Sequence, residues 1–80
     1  MTNTINSSAI GNVKQFISRN KDKAEYVATG EYRHFYVIVA EGFAMAISRS
    51  KYADDGIQAM FWMSDDRASE VREIIISESK

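Results

Sequence analysis

The chain contains neither cysteine nor proline. The first absence excludes disulfides, thiolate zinc sites, iron–sulfur clusters and a cysteine nucleophile together. The second means that no helix or strand is interrupted by a residue lacking its backbone donor. Histidine occurs once, at His34, so a histidine metal site or catalytic triad would have to draw its other members from carboxylates and hydroxyls. The glycines Gly11, Gly30, Gly42 and Gly56 stand far apart and form no phosphate-cradling loop. Long apolar runs are missing too: none approaches the roughly 18 residues of a membrane span. Met1-Thr2-Asn3-Thr4 has neither the basic lead nor the apolar core of a signal peptide. A cytoplasmic protein that does not engage membranes is the expectation.

What remains is enough to fold. The hydrophobic fraction is 45%, and one tryptophan, four tyrosines and four phenylalanines in 80 residues argue against disorder. One domain over residues 1–80 is expected, with residues 1–6 disordered. The net charge of -1 is unevenly spread: residues 1–52 hold seven Lys/Arg against four Asp/Glu, and residues 53–80 hold three against seven. Fields of that size are modest and screened by salt, and they read as a solvated surface.

The stretch from Tyr32 to Ile47 is the most informative, because Glu41-Gly42 divides two apolar runs as a two-residue hairpin loop would. Facing residues then have numbers summing to 83, and side chains alternate between faces. Tyr32, His34, Tyr36, Ile38 and Ala40 share one face with Phe43, Met45, Ile47 and Arg49. Phe35, Val37 and Val39 share the other with Ala44, Ala46 and Ser48. Both faces are apolar, and a two-layer domain of this size covers one with its own helices, so the second is a partner surface or half-wet.

Around the hairpin, Ser7 or Ser8 can cap a helix over about residues 8–20, with Ile10, Val13, Phe16 and Ile17 at helical spacing and basic residues near its end. Residues 24–29 read as a short strand ended by Gly30, although Ala24 and Val27 could also prolong the helix. Asp54-Asp55-Gly56 supplies turn chemistry before a fourth strand over 57–63, where helix is the alternative. Ser64-Asp65-Asp66 opens a second helix with the stripe Ala68, Val71, Ile74 and Ile75. The expected class is α+β: an antiparallel meander of three to four strands with an N-terminal and a C-terminal helix packed on one face. The small Ala44/Ala46 side is the better helix bed, which turns the other side outward.

No catalytic, cofactor-binding or metal-binding set emerges. Asp54-Asp55 and Asp65-Asp66 sit where a turn and a helix start favour acids, and no calcium-loop spacing accompanies them. The expected site is a partner-binding face of Tyr32, His34, Tyr36, Ile38, Phe43, Met45, Ile47 and Arg49, since aromatics and methionine are enriched in interface cores. It implies a non-enzymatic interaction module, a small adaptor, inhibitor or regulatory protein that also forms a homodimer through that face. The alternative is a single-stranded nucleic-acid binder that stacks bases on Tyr32 and Tyr36 beside Arg33, Arg49 and Lys51. The element order resembles that of double-stranded RNA-binding domains, in topology only. Those domains place lysines at the start of the second helix, where this chain has Ser64-Asp65-Asp66-Arg67-Ala68, and reversed charge there opposes phosphate binding.

Overall fold

The architecture follows from the two-faced hairpin. A computed structural model describes residues 12–52 and 57–80. Its strands β1 (Glu25–Thr29), β2 (Arg33–Ala40), β3 (Phe43–Ser50) and β4 (Ile57–Ser64) form one antiparallel sheet in the order β1-β2-β3-β4. Helix α1 (Val13–Arg19) precedes the sheet and helix α2 (Ala68–Glu78) follows it, so the chain is α+β as expected. The β2–β3 ladder runs from Arg33↔Ser50 to Ala40↔Phe43 in the anticipated register. Glu41 (φ 54°) and Gly42 (φ 84°) both adopt positive φ, the condition of a hairpin turn whose twist matches its strands. Residues 25–29 and 57–64 are strands, which closes the helical alternatives for both. The expected disorder of residues 1–6, the Ser7 or Ser8 cap and the Asp54-Asp55-Gly56 turn lie outside the described residues.

The expectation that both helices share one face is corrected. Phe16 and Ile17 of α1 pack on Ile38, Ala40, Met45 and Ile47, whereas Val71 and Ile75 of α2 pack on Phe35, Val37, Ala44 and Ala46. These two sets alternate along the same strands, so the helices sandwich the sheet. The physical reason lies in the hairpin itself, because leaving either apolar face open would forfeit the burial of a half-dozen side chains. Ala44 and Ala46 do form the bed of a helix, as expected, and that helix is α2 alone. Val39, assigned by alternation to the α2 face, is 37% exposed.

Two local details differ as well. Helix α1 begins at Val13, because Asn12 has extended backbone and its Oδ1 accepts the Lys14 and Gln15 amides at 2.9 and 3.4 Å. After Ser64 the chain first makes a 3-10 turn over Asp65–Arg67. The Ser64 hydroxyl donates to the Asp66 carboxylate and caps no backbone amide. In α2, Val71 and Ile75 are fully buried while Ile76 turns to solvent, as three consecutive isoleucines on one narrow helix require.

Candidate protein interface

Helix α1 covers only part of its face. At the other end of the sheet, ladder pairing lines up Thr29, His34, Arg49 and Ile57 in one row across the four strands. The next row is Tyr26, Tyr36, Ile47 and Ala59. Tyr26 stands edge-on to Tyr36 with ring centroids 5.9 Å apart, and its ring is tilted toward His34 at 6.5 Å. The Tyr26 hydroxyl is hydrogen-bonded to Thr29 Oγ1, which lies 3.2 Å from His34 Nδ1. Three rings are thereby fixed at one corner by edge contacts and a short polar chain. Tyr32 lies in the β1–β2 loop, where the Lys51 amide donates to its carbonyl at 3.1 Å, and it borders a depression shared with Phe35 and with Glu78 at the end of α2. Tyr26, Tyr32 and Tyr52 are 57%, 63% and 78% exposed.

Between this corner and α1 lies a half-open cleft of about 140 Å³. Ile17, Ile38, Ile47 and Ile57 line it, and Tyr36, Lys21 and Arg49 also border it. A second depression continues past Ile57 and Lys21 to Lys14 and Ser18 along the same helix. Apolar floor beside cationic rim is the surface a partner with mixed apolar and acidic character fits.

The position of α1 is set by the hairpin turn. Arg19 donates from Nε to Glu41 Oε2 at 2.8 Å and from a terminal nitrogen to Oε1 at 2.9 Å, and Asn20 Nδ2 donates to the same carboxylate. These hydrogen bonds from Arg19 and Asn20 hold the Glu41 carboxyl down at about 2, while Glu41 in turn raises the Arg19 guanidinium. On the other face, Arg72 of α2 binds Glu25 of β1 at 2.8 Å. Within α2's approach, Arg67 lowers the Glu70 carboxyl by pairing with it at 2.7 Å. All three pairs are solvent-exposed, so their role is one of positioning more than of stability.

The expected partner-binding set divides in two. Ile38 and Met45 are fully buried and Ile47 is 4% exposed, because α1 lies over them. Their assignment as surface residues is corrected: they are core. Phe43 is half-buried against Phe16, with ring centroids 6.4 Å apart. Tyr36, His34 and Arg49 are half-buried at the open corner, and Tyr32 is exposed in the β1–β2 loop. Tyr26 and Lys21 complete the corner and were not anticipated. Tyr26↔Tyr36 pairing would have pointed to the first, but the register of β1 shifts between Tyr26 and Ala28 and hides that pairing from simple alternation.

Among the described residues no group of three or more His, Asp or Glu side chains could hold a metal ion, and no helix is long and apolar enough to cross a membrane. No known protein family, no curated protein and no solved structure matches this chain.

Proposed function

We propose that this chain is a non-enzymatic, cytoplasmic interaction module that binds a protein partner through the corner of Tyr26, His34, Tyr36 and Arg49, the adjoining cleft and the exposed Tyr32. The observation that carries this reading is the partial cover given by α1: it buries Ile38, Met45 and Ile47 and leaves the tyrosine end of the same face open. Rigid amphipathic rings beside an apolar cleft supply contact area at low entropic cost, which is the composition of interface hot spots. An adaptor, inhibitor or regulatory subunit fits such a surface.

The test is affinity capture from host lysate with the tagged chain beside a Tyr26→Ser/Tyr32→Ser variant. The expected result is a stoichiometric partner held by the parent chain at about 500 mM salt and lost from the variant, since apolar contacts respond weakly to ionic strength. A partner retained equally by the variant refutes this location.

Single-stranded nucleic acid is a second reading, favoured by the placement of Lys21 and Arg49 beside the Tyr36 ring. Few cations and an acidic chain supply little phosphate affinity, so binding no tighter than micromolar is expected at about 150 mM salt. Fluorescence anisotropy with mixed-sequence oligonucleotides decides. Submicromolar binding that falls when Tyr26 and Tyr36 become alanine places the nucleic-acid reading first.

A further inference from the structure

We propose that two copies of this chain associate by pairing the outer edges of their β4 strands antiparallel, so that one sheet continues through both. In the order β1-β2-β3-β4, strand β4 has a ladder partner on one side only among the described residues. The outer side of such a strand presents backbone N–H and C=O groups that are satisfied either by water or by another strand. Folded proteins discourage the second outcome with short edges, charged side chains, proline, irregularities or a covering element.

The two edges of this sheet are treated differently. Strand β1 is five residues long, shifts register between Tyr26 and Ala28, and carries Glu25, which is ion-paired to Arg72. Strand β4 runs eight residues, Ile-Gln-Ala-Met-Phe-Trp-Met-Ser, with no charge and no proline. Its one irregularity is at Met60, which stands outside the pairing of Ala46↔Phe61 and Ile47↔Ala59. Beyond it, Phe61, Trp62, Met63 and Ser64 pair regularly with β3, so a regularly paired, largely apolar segment lies at the edge.

The occupant is a second copy because the strand fits itself. Antiparallel pairing about a two-fold axis normal to the sheet keeps the α1 side with the α1 side and the α2 side with the α2 side. The half-buried Phe61 and Met63 of each copy then meet on one side and the half-buried Trp62 rings approach on the other, removing apolar surface that the monomer leaves partly wet. The contact closes on itself and leaves only the charged β1 edges outward, which stops further growth. It uses the edge away from Tyr26, and it meets the interface proposed above only at Ile57, which begins β4 and lines the cleft.

Sedimentation equilibrium over about 10 to 500 µM, read together with amide hydrogen exchange, is the test, since an edge contact falls at the small end of interface sizes and is concentration-dependent. The expected result is a shift from one chain mass to two, with the outward-facing β4 amides gaining protection in step. Met60→Lys, at a strand position 37% exposed, is expected to remain monomeric throughout with an unchanged circular dichroism spectrum. Gln58→Lys, also exposed on β4, serves the same purpose should Met60→Lys fail to fold. Tyr26→Ser/Tyr32→Ser is expected to dimerise like the parent. A parent chain monomeric at the highest concentration, a dimer whose outward β4 amides stay labile, or folded lysine variants that still dimerise would each overturn the proposal.

Discussion

Truncating Phe16 to alanine tests the central architectural finding, the docking of α1 on the sheet face opposite α2. Phe16 has no exposed surface, packs edge-on to Phe43, and carries the Arg19 guanidinium 5.7 Å from its ring centroid. With Ile17 it is the contact between α1 and the floor of Ile38, Met45 and Ile47. Removing a buried phenyl ring costs about 3 to 5 kcal/mol through lost transfer energy and the cavity left behind. At about 0.05 to 0.15 kcal/mol per residue, a chain of this length has about 4 to 12 kcal/mol in total, so one side chain accounts for a large share. The melting temperature should fall by at least ~12 °C for a domain of this size. Urea denaturation followed by circular dichroism and by the fluorescence of Trp62, which packs against the same cluster, gives both the free energy and the local response. The expected result is a lower midpoint together with a red shift of the folded-state emission. A loss below about 1 kcal/mol is what a surface helix position gives, and it would refute the docking of α1 on this face.

Further outcomes follow from the same geometry. Val37→Asp and Ile47→Asp should both unfold the chain, because each places a carboxylate among buried apolar side chains, one on either side of the sheet; a folded circular dichroism spectrum for either variant contradicts its burial. Glu41→Gln should lower stability near neutral pH by releasing Arg19 and Asn20. Because folding depresses the Glu41 carboxyl from 4.5 to about 2, its stabilisation is complete above the higher value and is lost as pH falls through the lower one. Thermal melts of parent and variant should therefore converge between about pH 4.5 and pH 2, and a gap that persists at the acidic end would show that the pair does not act through its charge.

The hairpin was legible because its signals are local. Glu41-Gly42 between two alternating runs fixes a register, and every β2–β3 pair from Arg33 to Ala40 obeys it. The flanking strands and the second helix were readable from β-rich composition and from the Val71/Ile75 stripe. The placement of the helices was not, because choosing between two apolar faces by the smallness of Ala44 and Ala46 assumes that only one is covered. Phe16 and Ile17 offered a second apolar stripe of their own. Irregular pairing hid the rest: one extra residue at Met60 sends Trp62 to the α1 face and Phe61 to the α2 face, and the shift in β1 conceals Tyr26. Single-residue slips of this kind invert faces without changing composition.

Among the described residues, the sheet divides the interior into two compartments that share no buried side chain, one covered by Phe16 and Ile17 and the other by Val71 and Ile75. The hydrogen-bonded backbones of β2, β3 and β4 belong to both. Substitutions on opposite sides are thus separated by a rigid layer and lack common partners, the condition under which their free energies add. The same strand then answers to two sets of demands in alternate letters: Ala44 and Ala46 must stay small for α2, while Met45 and Ile47 need only suit the floor beneath α1. Such a chain is free to drift in one compartment without compensation in the other. The tyrosine corner lies at the open end of the α1 compartment. A new partner could accordingly be accommodated there by changes among Ile17, Ile57 and Tyr36 that the packing of α2 never registers.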